Sequence, residues 1–317
     1  MSYSFYVEAG APPEYRDVLE ALPEVETSSG PAEELEGPWE PGHVLAVWTR
    51  GWSTRPVELA WSDGTFSARI LACACAEDYD LALDAVCHVA DMIGAEVESE
   101  EGVRFAPDAR TEHYGADWIL PHVSSMVTTV IAHARETDGW VTMPGTTRDF
   151  HIGPRLAEEI GKGSAHAQEE ALFARMRALF YPDEERLYAA NVLSVTLDDG
   201  SHFTTTALAP GVGYVFPPVD YLTILATDPF EIPFAALPEI VGEDEVVWMD
   251  EACPSIAAID DDEWDAFEAK ARAHAVDPRG RKSLPHIGPE APAPTFPWAL
   301  VLAVLLAIGV VIWVLTR

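Results

Sequence analysis

The sequence has few basic residues, with 3 Lys and 16 Arg against 53 Asp and Glu, and its formal net charge is −34. Binding of nucleic acid and broad contact with anionic lipid both depend on basic patches. The composition therefore argues against a nucleic-acid partner, whereas an acidic surface would suit a basic protein partner. The use of Arg in place of Lys, together with abundant Ala, is typical of a GC-rich bacterial genome.

Cysteine is also scarce, and the chain has only Cys73, Cys75, Cys87 and Cys253. Their spacing does not match the paired Cys-x₂₋₄-Cys pattern of common zinc sites, so we expect reduced, buried thiols that pack as small apolar groups. The chain has no nucleophile elbow (G-x-S-x-G), no zinc-protease signature (H-E-x-x-H) and no dinucleotide-binding signature (G-x-G-x-x-G). We therefore expect no metal and no cofactor, and no motif in the sequence indicates a particular reaction.

Three polar residues remain as catalytic candidates. His113 lies in a short polar cluster of the kind that can serve acid–base chemistry. His122 lies on a predicted helix, eleven residues before the next histidine on the same face, which is too far apart for a metal-binding pair. Arg155 follows a Gly-Pro turn at a predicted helix start, where it would either face an anion or pair with Glu158 or Glu159.

A signal peptide is not expected, because the first ten residues have neither a basic leader nor a continuous apolar run. The long apolar run is Phe296 to Leu315, which has no charged residue and would span about 30 Å as a helix. Trp298 and Trp313 would lie about 22 Å apart, as the two interfacial aromatic belts require. We predict a transmembrane helix over 296–316, since a helix buried in a large domain would not need to be apolar all round.

The segment before this run, 279–295, is Pro-rich and is expected to be an extended linker. Arg279, Arg281 and Lys282 lie close enough to the run to bias its orientation. The positive-inside rule then predicts a tail-anchored, single-pass protein of a bacterial inner membrane or plasma membrane. The bilayer would hold the C-terminal helix, and the large N-terminal domain would be cytoplasmic.

The pattern of residues 1–278 predicts an α+β fold of antiparallel sheets with packed helices. Asp-Gly turns at 62–64 and 198–200 separate alternating apolar runs and indicate two β-hairpins. Helices are predicted over 77–93, with acids in the first turn and Gly94 as the stop, over 121–135, with Pro121 in the first turn, and over 164–180, with Ser164 as the N-cap. A seam near residue 108 divides the chain into two α+β parts, 1–108 and 109–278. The two hairpins resemble each other, which either an internal duplication into two similar sub-units or generic hairpin chemistry would explain; we favour the generic explanation.

These observations lead to two functional hypotheses of different classes. The first is a membrane-anchored protein-interaction module, and one specific form of it is an immunity-type protein whose acidic domain neutralises a basic toxin. The alternative is a membrane-tethered enzyme with an unrecognised active site that uses His113, His122 or Arg155. A scaffold in an envelope assembly is a third hypothesis, and the sequence does not distinguish it from the interaction module.

Overall fold

The computed structural model describes residues 2–183, 185–197 and 199–278 of the chain. Its helices are α1 (Tyr15–Leu19), α2 (Ala76–Ile93), α3 (Arg110–Tyr114), α4 (Ala116–Glu136), α5 (Pro154–Ile160), α6 (Ala165–Phe180), α7 (Leu237–Val241) and α8 (Asp261–Arg272). The strands of the first half are β1 (Ser2–Glu8), β2 (Glu26–Thr27), β3 (Val44–Trp48), β4 (Val57–Ser62), β5 (Thr65–Leu71), β6 (Val97–Ser99), β7 (Arg104–Phe105), β8 (Val141–Met143) and β9 (Phe150–Ile152). Those that follow are β10 (Leu187–Ala189), β11 (Leu193–Thr196), β12 (His202–Leu208), β13 (Gly213–Val215), β14 (Tyr221–Ile224), β15 (Phe230–Pro233), β16 (Val246–Trp248) and β17 (Pro254–Ile256). The predicted class, α+β with antiparallel sheets and packed helices, is confirmed.

The largest sheet has seven strands in the order β2-β3-β4-β5-β1-β6-β7, and all its pairs are antiparallel. The predicted hairpin joins β4 to β5 through Asp63 and Gly64, whose φ angles are 50° and 80°. A two-residue turn with both φ positive matches the twist of the flanking strands, which is why Asp-Gly is favoured there. Period-two alternation along β1 buries Tyr3, Phe5 and Val7 on one face.

Helix α2 packs on this sheet against β1, β4 and β5. Its buried positions include Leu81, Ala85 and Val89, which recur every four residues as a helix with one apolar face requires. Gly94 ends the helix in the left-handed conformation at φ 68°. These features confirm the predicted helix over 77–93 and its stop.

Helices α4, α5 and α6 pack against one another beside this sheet. Helix α4 begins at Ala116, five residues before the predicted start, so Pro121 lies inside the helix and not in its first turn. The start is fixed at Gly115, where an added Cβ would lie 2.5 Å from the carbonyl oxygen of Thr111. The close approach of α3 therefore explains why α4 starts after Gly115, whereas the sequence suggested a start at Pro121.

Two four-stranded sheets follow, in the orders β10-β13-β17-β16 and β11-β12-β14-β15. The second predicted hairpin is present as the antiparallel pair β11–β12. Each sheet also contains one parallel pair, β10–β13 and β12–β14, which the sequence did not predict. The chain passes from β12 through β13 of the other sheet before it returns in β14, so β12 and β14 run in the same direction.

The residues up to Asp277 form one compact unit with two hydrophobic cores. The first core extends from Tyr3 to Phe180 and also includes Val215 and Cys253. The second core extends from Ala190 to Ala271 and joins the small sheets to α7 and α8. The first core takes side chains from both sides of the predicted seam near residue 108, and the division there stays a prediction.

The predicted linker and transmembrane helix lie outside the described residues, and so do Phe296, Trp298, Trp313 and Leu315. Within the part of the chain that the structure describes, none of the helices combines the length and apolar content needed to cross a bilayer.

Candidate functional site

A tight turn between β16 and β17 holds a fully buried carboxylate, Asp250. The strands pair from Val246–Ile256 to Trp248–Pro254, and Met249 N donates to the carbonyl of Cys253 at 2.9 Å. Asp250 Oδ1 accepts the backbone N–H groups of Ala252 and Cys253 at 2.7 and 2.6 Å. This Asx-type turn fixes Asp250 and Cys253 on the same side of the hairpin.

Strand β9 brings His151 against this turn. Its backbone N–H donates to Asp250 Oδ2 at 2.7 Å, and its carbonyl accepts from Glu251 N at 3.0 Å. The His151 Nδ1 atom lies 3.0 Å from Asp250 Oδ2 and 3.7 Å from Cys253 Sγ. All three residues are buried, so a histidine meets a carboxylate and a thiol that lie 99 and 102 residues later in the chain. We call it the Asp250 cluster.

Arg155 borders the Asp250 cluster from the first turn of α5. Its Nη2 donates to the Asp250 carbonyl at 2.7 Å, its Nε lies 3.9 Å from Glu251 Oε1, and its guanidinium stacks on Trp248 at 5.3 Å. The predicted pairing with Glu158 or Glu159 is not what the structure has, because the β16–β17 turn lies nearer and Glu159 is paired with Arg175. These contacts of Arg155 hold α5 against the β16–β17 turn.

Electrostatics in the Asp250 cluster favour a neutral thiol. Burial is the main cause that raises the pKa of Cys253, and the neighbouring Asp250 carboxylate raises it further. Arg148 lies close enough to act on Asp250 and Cys253, and its buried Nε and Nη1 have no hydrogen-bond partner among the described residues. Burial lowers the pKa of Arg148, which the two acidic neighbours partly offset.

This arrangement does not fit nucleophilic catalysis. In a Cys–His–Asp triad the nucleophile and the carboxylate contact different ring nitrogens, so that the imidazole can pass a proton between them. Here Asp250 and Cys253 both face Nδ1, and Cys253 is 1% exposed. The donor atoms are instead those that hold transition metals in proteins.

The other two candidates, His113 and His122, lie in a separate aromatic cluster. His113 is exposed on α3, packs against Phe105 at 5.7 Å and lines an open cleft of about 350 Å³. Its lining residues are Thr111, Glu112, His113, Gly115, Ala116, Asp117 and Trp118. His122 is stacked on Trp118 at 4.5 Å, and its buried Nε2 has no hydrogen-bond partner within the described ranges.

The environment of His122 disfavours its charged form. Burial lowers its pKa, and the negative charges of Glu100 and Glu101 oppose that shift. The structure thus brings His113 and His122 near one aromatic cluster and places Arg155 at the Asp250 cluster. The three candidates are divided between two sites.

A second buried carboxylate, Asp78, lies at the start of α2. Its Oδ2 accepts the backbone N–H groups of Thr54, Arg55 and Cys75 at 3.0 to 3.1 Å, and the Thr54 hydroxyl and Cys75 thiol lie within 3.2 Å. We call this group the Asp78 cluster. It joins the loop before β4 to the helix that covers the sheet.

The expectation of buried cysteines is confirmed for all four. From their spacing we expected Cys73 and Cys75 to share one face of a strand; this is wrong, because β5 ends at Leu71. Cys73 takes the left-handed conformation at φ 63°, and Cys75 is the N-cap residue of α2.

Sequence reasoning missed His151 and Asp250. One signal was present, a histidine between two apolar residues of a short strand, in the stretch Phe150 to Ile160. Its partners lie about a hundred residues later, and no local spacing connects them.

Comparison with known proteins finds no match: no protein-family model, no curated protein and no solved structure matches the chain. The residues and their geometry are therefore the basis for a functional proposal.

Proposed function

We propose that this chain is a tail-anchored, single-pass membrane protein whose acidic cytoplasmic domain binds a basic protein partner. Its specific form would be an immunity-type protein that neutralises a toxin. The apolar run over 296–316 would hold it in a bacterial inner membrane or plasma membrane, behind the Pro-rich linker over 279–295. The observation that carries the proposal is the surplus of carboxylates over bases.

That surplus is too large to be neutralised within the domain. Residues 1–278 hold 52 of the 53 acidic residues and 15 of the 19 basic ones. At least ten of their arginines are already ion-paired with carboxylates of the chain itself. Most carboxylates therefore remain available, and their summed field would speed the approach of a basic partner and select against acidic ones.

The start of α8 is one dense part of this acidic surface. Asp260, Asp261, Asp262 and Glu263 are consecutive and all exposed. Negative charge at a helix N-terminus is favoured by the helix dipole, so this run can be held without basic neighbours. It would offer a partner several carboxylates on one turn of a fixed helix.

The experiment is affinity purification of the full-length chain, in detergent, from its own cells at low and high salt. We expect a basic protein that is retained at low salt and released at high salt, because screening weakens exposed charge pairs. Asp261→Asn with Asp262→Asn and Glu263→Gln should weaken retention. Asp17→Asn with Glu20→Gln and Glu24→Gln changes the net charge equally on another exposed segment and serves as the control.

A toxin challenge tests the immunity form separately. Cells that express the full-length chain should survive a basic toxin that kills cells without it. Absence of any salt-sensitive partner, together with no protection, would contradict the proposal.

The alternative is a membrane-tethered enzyme that works from the cleft beside His113. The cleft is the observation in its favour, since it is concave and carries an imidazole and two carboxylates, Glu112 and Asp117. A small-molecule turnover that is lost in His113→Ala and kept in His133→Ala would favour the enzyme over the interaction module.

Anchor and orientation are tested by fractionation. The full-length chain should stay with the membrane and resist protease added from outside, whereas a chain that ends at Pro285 should be released.

An internal duplication would be a further feature of the fold, but we favour generic hairpin chemistry. The β4–β5 hairpin lies in an all-antiparallel sheet, whereas β12 of the second hairpin also pairs in parallel with β14.

A further inference from the structure

Three metal-binding groups converge in the Asp250 cluster. His151 Nδ1 lies 3.0 Å from Asp250 Oδ2 and 3.7 Å from Cys253 Sγ, and one ligand atom of each residue lies within 4.8 Å of the other two. A single ring nitrogen carries either a proton or a lone pair. If Nδ1 is protonated it can donate to Asp250, but it cannot also accept from the Cys253 thiol. If it has a lone pair it can accept from the thiol, but it then faces the carboxylate oxygen at 3.0 Å. Nδ1 can therefore hydrogen-bond only one of its two neighbours at a time, and when it donates to Asp250 the Cys253 thiol has only the same carboxylate as an acceptor.

The lone pairs of the Asp250 carboxylate also leave one site that a metal ion could use. An ionised carboxylate has about four lone-pair sites. Three are used by the backbone N–H groups of His151, Ala252 and Cys253. The fourth lies on Oδ2, the oxygen that faces the imidazole, and it is open to a metal ion when Nδ1 is not protonated.

Two of the three distances between the ligand atoms are close to those of a tetrahedral zinc site. Zinc bonds of about 2.0 to 2.1 Å to nitrogen and oxygen and about 2.3 Å to sulfur place tetrahedral ligands roughly 3.3 Å (N to O) and 3.6 Å (N to S) apart. The corresponding separations are 3.0 Å from His151 Nδ1 to Asp250 Oδ2 and 3.7 Å from Nδ1 to Cys253 Sγ. Both agree with these edges to within a few tenths of an ångström.

We propose that His151, Asp250 and Cys253 form a structural zinc site that joins β9 to the β16–β17 turn. Zinc would take the Nδ1 lone pair of a neutral His151, one oxygen of Asp250 and the thiolate of Cys253. The S–H bond breaks as the S–Zn bond forms, and the thiol proton leaves to solvent without any redox change. The charges of Zn²⁺, the thiolate and the carboxylate then cancel.

The fourth position is assigned to a water, since the group of ligand atoms within 4.8 Å of one another consists of His151, Asp250 and Cys253 among the described residues. Arg148, whose charge acts on Cys253 and Asp250, is a basic neighbour of the site. Three protein ligands and one open position are the ligand count of many catalytic zinc sites. Here the three ligand residues are at most 6% exposed, so a substrate would not reach the metal, and this burial favours a structural role.

The test uses the full-length chain, purified in detergent without chelators. We expect about one zinc per chain by elemental analysis. After metal removal, titration with Co²⁺ should give a sulfur-to-cobalt charge-transfer band and the intense d–d bands of tetrahedral cobalt. Cys253→Ala should abolish the charge-transfer band and weaken metal binding at least tenfold.

The matched control is Cys73→Ala, because Cys73 is also 1% exposed but lies outside the Asp250 cluster. It should keep both the zinc and the cobalt spectrum. Wild-type protein that contains no stoichiometric zinc and gives no charge-transfer band overturns the proposal. So does a band that survives in Cys253→Ala and is lost in Cys73→Ala. If Cys253→Ala does not fold, the wild-type cobalt spectrum decides alone.

Discussion

The Asp250 and Asp78 clusters contain the same elements and use them differently. Each has an aspartate with 0% exposure and a cysteine three residues away, and each joins segments distant in sequence. At Asp78 the backbone donors of Thr54, Arg55 and Cys75 all lie on Oδ2, whereas the buried Oδ1 accepts no backbone N–H among the described residues. At Asp250 both oxygens are occupied, Oδ1 by two N–H groups of the turn and Oδ2 by His151.

The difference has a chemical consequence. An asparagine can replace Asp78 with its carbonyl oxygen toward the donors and its NH₂ toward the unpartnered side. At position 250 no orientation avoids placing the NH₂ against N–H donors. Removing an acceptor from a buried donor costs more than removing a charge whose hydrogen bonds survive. Two carboxylates with equal burial should thus differ in their tolerance of the same substitution.

The largest expected effect comes from Asp250→Asn. We expect it to lower the free energy of unfolding by about 3–5 kcal/mol, because buried N–H groups lose their acceptor on one side of the turn. Denaturant unfolding of the full-length chain measures it. Asp244→Asn, exposed on the segment before β16, should change stability by less than about 0.5 kcal/mol. A loss at Asp250 no larger than that at Asp78 would remove the distinction between the clusters.

The next largest effect is that of a chelator, which should destabilise the chain through the Asp250 cluster and not through the Asp78 cluster. If zinc is bound at the Asp250 cluster, removing it should cost about 2.7 kcal/mol at a free zinc concentration of a hundred times Kd. The chelator should shift the unfolding midpoint equally in wild type and Asp78→Asn, since Asp78 is not a ligand. Its effect should be clearly smaller in Cys253→Ala, in which metal binding is weakened. Equal sensitivity of all three variants would show that the stabilising metal binds elsewhere.

Asp78→Asn should have a smaller effect, a loss of about 1–2 kcal/mol. The backbone N–H groups of Thr54, Arg55 and Cys75 keep an acceptor and lose only its charge. The control is Asp91→Asn, exposed near the other end of α2, where removing a negative charge from a helix C-terminus should be neutral or slightly stabilising. A loss above about 3 kcal/mol would mean that the charge itself, and not the geometry of acceptors, holds the Asp78 cluster together.

Local pattern predicted much of the fold. The Asp63-Gly64 hairpin, the α2 helix with its Gly94 stop and the Ser164 N-cap of α6 all depend on residues a few positions apart, and the structure has each of them. The start of α4 was missed because it depends on contact between Gly115 and α3. The parallel strand pairs were missed because they follow from the path between two sheets, which no local pattern records.

The candidate sites were less predictable for the same reason. Asp78 was expected only as an acid in the first turn of α2, and its partners at Thr54 and Arg55 lie in another loop. His151 and Asp250 are 99 positions apart, so spacing rules for metal ligands could not join them. Composition gave the acidic character directly, since net charge depends on no contact at all.

The smallest expected effect concerns pH and contrasts His122 with His151. His151 has a carboxylate oxygen 3.0 Å from Nδ1, whereas His122 is held by ring contacts with Tyr3, Tyr79 and Trp118. Burial lowers the pKa of His122 in the folded state below the value of about 6.5 for an unfolded chain. Below that pH the unfolded state binds the proton more readily, so the contribution of His122 to stability is present at neutral pH and lost as the pH falls.

The measurement is the unfolding free energy at several values between pH 7.5 and about pH 5, for wild type and for His122→Phe, which keeps an aromatic ring but does not titrate. The difference between the two isolates His122 from other groups that titrate in this range. We expect wild type to lose more stability than the variant as the pH falls. His113→Phe, at an exposed position on α3, is the control and should follow wild type. If His122→Phe also follows wild type, Glu100 and Glu101 offset the burial of the imidazole, and the unpartnered Nε2 is protonated as easily in the folded chain as in the unfolded one.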